Sequence, residues 1–232
     1  SVTNGTTLTL SPYNGNNISI NGVPRQVPLA GVTGSNAGLT ASTLYYVYAS
    51  WTGAAIQLNF STTGHSTASN GVEIKTGDGT QTLVGMIRTF TDGTFINTSQ
   101  YSYLLNWFNR KTIAANINGT SVNFSNTGAL AEISATYRVN FLTWADEAVY
   151  SQSDGGYTNN GINDNKVQNW IDGSSFGPAV DSYIPVANTL AVFVSAGAGT
   201  LSEGFHYSTL AGAVTAGTAS ISTLNMKVTV RG

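Results

Sequence analysis

The stretch that decides the fold runs from Leu44 to Arg110: LYYVYASWTGAAIQLNF (Leu44–Phe60), STTGHSTASNGVEIKTGDGT (Ser61–Thr80), QTLVGMIRTFTDGTFINTSQ (Gln81–Gln100) and YSYLLNWFNR (Tyr101–Arg110). Tyr45, Val47 and Ala49 alternate with Tyr46, Tyr48 and Ser50, the period of a strand with one face buried. Ile56, Leu58 and Phe60 repeat that rhythm after a turn at Thr52-Gly53. Val72 and Ile74 stand between two strong turn signals, Asn70-Gly71 and Gly77-Asp78-Gly79. Leu83 to Ile87 is a continuous apolar run, as in a strand covered on both faces. Asp92-Gly93 marks a further turn. Ser99 to Arg110 fits a helix through Leu104, Leu105 and Phe108, and a strand through Tyr101, Tyr103, Leu105 and Trp107; its aromatic content favours the strand. The stretch predicts four or five strands in one sheet and contains no catalytic motif.

Upstream, Asn4-Gly5, Asn14-Gly15 and Asn21-Gly22 are hairpin signals, because a type I′ turn needs positive φ at both central residues. Leu8 and Leu10, then Ile18 and Ile20, alternate with polar residues as short strands do. Pro24 and Pro28 exclude their segment from the centre of a sheet. Downstream, strands are expected at 112–117, 120–125, 129–134, 136–144, 147–151, 189–195, 203–211 and 219–231, with Asn118-Gly119 as a two-residue hairpin turn. About eight such strands suit a jelly-roll sandwich. The expected organisation is all-β: a short-stranded N-terminal β module over 1–110, followed by a jelly-roll-like β-sandwich over 111–232.

Ser151 to Val186 breaks the pattern. It carries Asp154-Gly155-Gly156, Asn159-Asn160-Gly161, Asn163-Asp164-Asn165 and Asp172-Gly173, with Tyr157, Trp170, Phe176 and Tyr183 between them. A polar excursion of this length reads as a functional loop, since its aromatics argue against disorder.

Composition narrows the function classes. Only 9% of the residues are charged, about a third of the usual ~25%, and Asn, Ser, Thr and Gly stand in their place. A net charge of -2, with its lysines and arginines scattered, gives no reason to expect the basic face that nucleic-acid binding needs. No apolar run approaches the ~20 residues of a membrane helix, so no membrane insertion by a helix is expected. The first ten residues lack the basic start and apolar core of a signal peptide. Without cysteine, packing or partner chains must hold the fold. Uncharged Thr- and Asn-rich strands do little to repel a neighbouring sheet edge, which favours a homo-oligomer that covers those edges.

The run YYVYAS…LNFSTTGHST…GVEIKTGDGTQTLVGMIRT…SYLLNWFNRK resembles a block in virion proteins of tailed bacteriophages and gene-transfer agents, among them tail-fibre, head-fibre and spike components. The opening TLSPYNGNNISINGVPRQVPLAGV and the closing EGFHYSTLAGAV…VTVRG resemble the start and end of the same family. The resemblance implies a protein made in the bacterial host cytoplasm and displayed on the virion surface beside other virion proteins. A fibre implies a trimer, and a five-fold vertex position implies a pentamer.

Chemistry reads sparsely. His65 and His206 are the only histidines, and no GxSxG elbow accompanies them. His206 is expected as a half-buried strand histidine with one bonded nitrogen. Asp146 and Glu147, adjacent on a strand, point to opposite faces. A glycan-cleaving dyad needs carboxyls about 5–10 Å apart and would have to draw on Glu132, Asp146, Glu147 and Asp154. Asn160, Asn163, Asp164 and Asn165 lack the spacing of a calcium loop, so no metal and no cofactor are expected. Sugar rings present apolar C–H faces that lie against aromatic rings, while amides and carboxylates bind their hydroxyls. On that chemistry the candidate glycan site is Tyr157, Asn159, Asn160, Trp170, Asp172 and Tyr183. The expected function is non-enzymatic adsorption to a host cell-surface polysaccharide; the alternatives are a structural capsid or tail decoration protein, and a glycan-cleaving spike.

Overall fold

The computed structural model describes Ser1–Arg231. Among these residues every regular element is a strand except one 3-10 turn at Ala135–Tyr137. The chain forms two compact units, one of Ser1–Asn97 with Tyr103–Lys111, the other of Thr98–Ser102 with Thr112–Arg231.

The first unit opens with β1 (Val2–Asn4), β2 (Thr7–Leu10), β3 (Asn17–Ile20), β4 (Val23–Gln26) and β5 (Val32–Ser35). β1, β2 and β5 form one antiparallel sheet, and β3 and β4 a hairpin. Asn21 and Gly22 join that hairpin at φ 51° and 72°, the left-handed pair a type I′ turn requires. Pro24 lies on β4, which pairs with β3 alone, so its missing N–H interrupts no central ladder.

The larger sheet of this unit contains β6 (Leu44–Trp51), β7 (Ile56–Ser61), β8 (His65–Thr67), β9 (Glu73–Lys75) and β10 (Asp78–Arg88), in the order β7-β6-β10-β9-β8. β6 was expected to bury one face, yet Tyr48 and Ser50 are buried along with Tyr45, Val47 and Ala49. Polar partners cover the second face: the Tyr48 hydroxyl donates to the Thr63 carbonyl at 2.9 Å, and the Gln57 and Asn59 amides donate to Ser50 Oγ. β10 is buried from Thr82 to Ile87, as its apolar run predicts. After β11 (Tyr101–Ser102), which belongs to the second unit, β12 (Leu104–Asn106) pairs with β10. The core gathers Ile18, Ile20, Val47, Val84, Ile87 and Phe95.

The second unit contains β13 (Thr112–Gly119), β14 (Val122–Phe124), β15 (Ala131–Glu132), β16 (Val139–Thr143), β17 (Ala148–Asn159), β18 (Asn163–Ile171), β19 (Ser174–Ser175), β20 (Val180–Ile184), β21 (Ala191–Thr200), β22 (Gly204–Val214) and β23 (Ala219–Arg231). One sheet runs β13-β23-β17-β21, with β14 extending β13 along β23. The other runs β16-β22-β18-β20, with β15 beside β22, β19 beside β18, and β11 parallel to β16 at the edge. Counted as eight strands, the first, eighth, third and sixth share one sheet, and the second, seventh, fourth and fifth the other. That order is a jelly roll.

Two expectations are corrected here. Asn118-Gly119 is not a hairpin turn: both residues lie in β13, paired with Asn225 and Leu224. The chain shifts only afterwards, at Thr120 and Ser121 (φ 60°). Gly119 is required there because a Cβ would stand 2.5 Å from the Tyr137 ring. The second correction is larger. Ser151–Val186 is not a loop but holds most of β17 and all of β18 and β20.

β18 explains the misreading. It buries Asn163, Asn165, Val167, Asn169 and Ile171 and turns Asp164, Lys166, Gln168 and Trp170 outward. The period of two is intact, but amides occupy three inward positions. Asn169 Oδ1 faces the hydroxyls of Ser151, Ser153 and Ser208 at 3.3, 2.9 and 3.1 Å, and Ser195 Oγ accepts from the Asn169 N–H. Asn159 donates to Asn165 Oδ1 at 2.7 Å and accepts from Asn163 at 2.8 Å. These side chains can be buried because most of their polar atoms bond one another, although the Nδ2 groups of Asn165 and Asn169 have no partner among the described residues. Around them Phe141, Val149, Tyr157, Val167, Phe193 and Ile221 form the apolar core.

Candidate functional site: the outer face of the β16-β22-β18-β20 sheet

Because β18 and β22 pair in register, with Trp170 opposite Thr209 and Lys166 opposite Ala213, their outward residues form one surface. The inward direction is fixed by Ser208, which bonds Ser151 inside the sandwich at 2.8 Å. Tyr207 and Thr209 therefore point away from the sandwich interior, Tyr207 partly exposed and Thr209 covered by its neighbours on that face. The Thr209 hydroxyl donates to Glu132 Oε1 at 2.7 Å. Trp170 thus stands directly opposite Thr209, while Glu132, opposite Ala211 two residues along β22, reaches the Thr209 hydroxyl diagonally.

Arg138 organises the far side of that group. Its Nε and Nη2 donate to the two oxygens of Glu132 at 2.7 and 2.6 Å, the bidentate geometry that fits a guanidinium to a carboxylate. The same guanidinium lies 4.0 Å from the Tyr207 ring centroid. The bonds from Arg138, with help from Thr209, hold the Glu132 carboxyl below the usual carboxylate range against the opposing effect of burial. Glu132 therefore remains ionised and bonded, a recognition acceptor and a poor general acid. Trp170 is half-buried, and its Nε1 donates to Gln168 Oε1 at 2.9 Å, which fixes the indole on the sheet. Lys166 and Asp181, paired across β18 and β20 at 3.3 Å, line an open depression of about 590 Å³ with Asp164, Gly128 and Thr215.

The chain has nine basic and eleven acidic residues, and Glu132, Arg138, Asp164, Lys166 and Asp181 all stand on this face. An aromatic plane flanked by fixed donors and acceptors can take a polar, ring-shaped ligand such as a sugar, apolar face to the indole and hydroxyls to the charged groups.

The six residues expected to form one site are dispersed. Tyr157 is fully buried, stacked on Phe193 with centroids 5.7 Å apart; its inward register on β17 makes it core and removes it from any surface. Asn159 is likewise buried, spent on the amide cluster. Asn160 is exposed at the β17–β18 turn, where Oδ1 accepts from the Thr218 N–H. Trp170 lies on the outer face, and Tyr183, 62% exposed, faces outward on neighbouring β20. Asp172 is exposed in the turn after β18 at φ 51°.

Asp172 also corrects the expectation for His206, whose two nitrogens both have partners: Nδ1 with Asp172 Oδ2 at 2.5 Å, Nε2 with the Ser202 carbonyl at 2.8 Å. Both partners accept, so both ring nitrogens must donate and the imidazole is charged. Burial alone would lower its pKa, but the bonds to Asp172 and Ser202 prevail and raise it.

Asn163 and Asn165 point inward while Asp164 points outward, so the Asn/Asp cluster does not converge on one point. Of the four carboxylates considered for cleavage, Glu132 and Asp154 lie on different sheets of the sandwich, Asp154 accepting from Gln152 and Asn225. Glu147 is buried and Asp146 exposed. Arg138, Tyr207, Gln168 and Lys166 were missed as site residues. Chain order separates them, and only the alternation of β18, had its inward asparagines been recognised, could have placed Gln168 and Lys166 beside Trp170.

The second unit is thus a jelly-roll domain with one aromatic and charged outer face. No family model and no curated protein matches the chain. Among solved structures, the C-terminal domain of EclA, a sugar-binding protein, superimposes with a TM-score of 0.32 and 16% identity, over 47% of this chain and 78% of that one. The structure of infectious bursal disease virus, Gx strain, does so with a TM-score of 0.31 and 10% identity, over 98% of this chain and 70% of that one. Overlap this low carries no argument about function.

Proposed function

We propose that the chain is a non-enzymatic surface protein of a tailed-phage virion, a fibre or spike component that adsorbs to a host-surface glycan through the outer face of the β16-β22-β18-β20 sheet. The observation that carries this reading is the half-buried Trp170 beside the fixed Thr209–Glu132–Arg138 array. The resemblance to phage virion proteins supplies the setting. Copies of the chain assemble as a homo-oligomer, with a trimer the form a fibre implies. Repetition lets a weak single site suffice, because linked sites gain avidity of about 10²–10⁴.

A second reading, a decoration protein docked to other subunits with no receptor contact, is favoured by one feature. The edge strand β21 exposes Val192 at 76% and Val194 at 60%, beside exposed Leu190.

The test is binding of the purified oligomer to host cells and to their purified surface polysaccharide, for wild type and Trp170→Ala, with oligomeric mass and released reducing sugar followed on the same samples. Binding by wild type and its loss in a folded, oligomeric Trp170→Ala supports adsorption. Absence of wild-type binding shifts the assignment to the decoration role, and released sugar that needs Glu132 replaces it with cleavage.

A further inference from the structure

The first unit has its own recognition feature, made by residues that the proposed adsorption face does not use. Between the loop after β2 and the turn after β12 lies a cleft whose sides are Pro12, Tyr13, Asn16, Asn17, Phe108 and Asn109, over a floor of Leu10, Ile18 and Val27. Tyr13 is 55% exposed and Phe108 61%. Exposed rings are ordinary singly, but two on one concave site need a reason.

Backbone hydrogen bonds shape both loops that carry the rings. In the first loop, Asn14 takes φ 50°, the Tyr13 N–H donates to the Gly15 carbonyl at 3.1 Å, and the Val27 N–H donates to the Asn16 carbonyl at 2.6 Å. Opposite, Asn106 Oδ1 accepts from the N–H groups of Phe108 and Asn109 at 2.9 and 2.8 Å, a side-chain-mimicked turn that keeps Phe108 directed outward. Lys111 Nζ lies 4.5 Å from the Tyr13 ring centroid, which adds a cation–π contact to that ring.

We infer that this cleft is a saccharide-binding site, separate from the jelly-roll face. Its sides carry no carboxylate, and the charge beside them, the Lys111 ammonium, is set on the Tyr13 ring, so recognition at the sides falls to groups that match hydroxyls. Three asparagine amides supply donors and acceptors together, which matches hydroxyl groups, themselves both donor and acceptor. A proline-rich peptide, the other ligand of aromatic grooves, offers mainly carbonyl acceptors and would leave the amide oxygens unused. Tyr13 and Phe108 supply the flat apolar surfaces for ring C–H faces.

The experiment is a two-dimensional NMR titration of the whole chain with maltotetraose, cellotetraose and chitotetraose, followed at the side-chain amides of Asn16, Asn17 and Asn109. An octaproline peptide is titrated separately. At least one tetrasaccharide is expected to shift those amides with a Kd of roughly 1 mM. Tyr13→Ala and Phe108→Ala, both surface changes, weaken it about tenfold or more, and Trp170→Ala leaves it unchanged. The last result separates this site from the adsorption face, so either can fail without the other. Absence of shifts with all three sugars up to about 10 mM, shifts that survive in both ring variants, or shifts with octaproline alone each overturn the assignment.

Discussion

Replacing Asn169 with alanine tests whether the polar interior holds the jelly roll together. Oδ1 has two lone pairs, yet three serine hydroxyls lie within reach of it. Ser151 and Ser208 also bond each other at 2.8 Å, so one of them donates to its neighbour while the other joins Ser153 on Asn169. Alanine at this position therefore strands two hydroxyl donors, both in residues that are fully buried. Each orphaned donor costs about 1–3 kcal/mol, and alanine also removes the Asn169 Nδ2, itself buried without a partner among the described residues, which offsets about one of the two and leaves a net loss of about 1–3 kcal/mol. A domain's whole stability is about 5–15 kcal/mol, so the variant is clearly destabilised. The assay is urea unfolding followed by the fluorescence of Trp144, which is completely buried in the second unit, with the loss read from the midpoint and slope. Removing donors and acceptor together should be far milder, because an apolar set leaves nothing unpaired. Asn169→Leu combined with Ser151→Ala, Ser153→Ala and Ser208→Ala is thus expected to recover most of the loss. An Asn169→Ala loss below about 1 kcal/mol, or a fourfold variant less stable than the single one, would refute the accounting.

His206 makes stability depend on pH. Its folded pKa lies above its ordinary value, so its contribution is complete below about pH 6.5 and fades as pH rises through the raised value; the gap in Tm between wild type and His206→Asn should narrow from pH 6 to pH 9, and a constant gap would refute the charged pair with Asp172. Gly119→Ala drives a methyl against the Tyr137 ring and is expected to cost about 1–3 kcal/mol as overpacking, measured by the same urea unfolding; a neutral result would mean that the ring moves freely aside. Arg138→Gln removes a bidentate ion pair whose side chains are 33% and 25% exposed, so stability should fall by about 1–3 kcal/mol while binding to the host cell-surface polysaccharide falls in the variant that remains folded, and retention of full binding would remove Arg138 from the proposed site.

Where the sequence was legible, the physical signal was one the chain could not conceal. Asn21-Gly22 needs positive φ twice, and both residues adopt it. The apolar run Leu83–Ile87 needs cover on both sides and has it. The strands read at 112–117, 136–144 and 219–231 fall on β13, β16 and β23, because Ile113, Phe141 and Val228 mark their inward faces with apolar groups. β18 fails that test only because inward and polar coincide: Asn163, Asn165 and Asn169 are buried, whereas binary patterning equates polar with exposed.

The same confusion misplaced the candidate site. Once β18 is taken as a loop, Tyr157, Asn159 and Trp170 lie together on one polar excursion. As strands, β17 sends Tyr157 and Asn159 into the core, while β18 sends Trp170 out. A chain with 9% charged residues faces this ambiguity in general, since asparagine and serine can pair with one another inside a sandwich as well as meet water. Charge is the better guide in such a chain. A buried charge is far costlier than a buried amide, so Lys166 and Asp164 could only point outward. Their alternation with Asn165 assigns the face of every residue on the strand, Trp170 included.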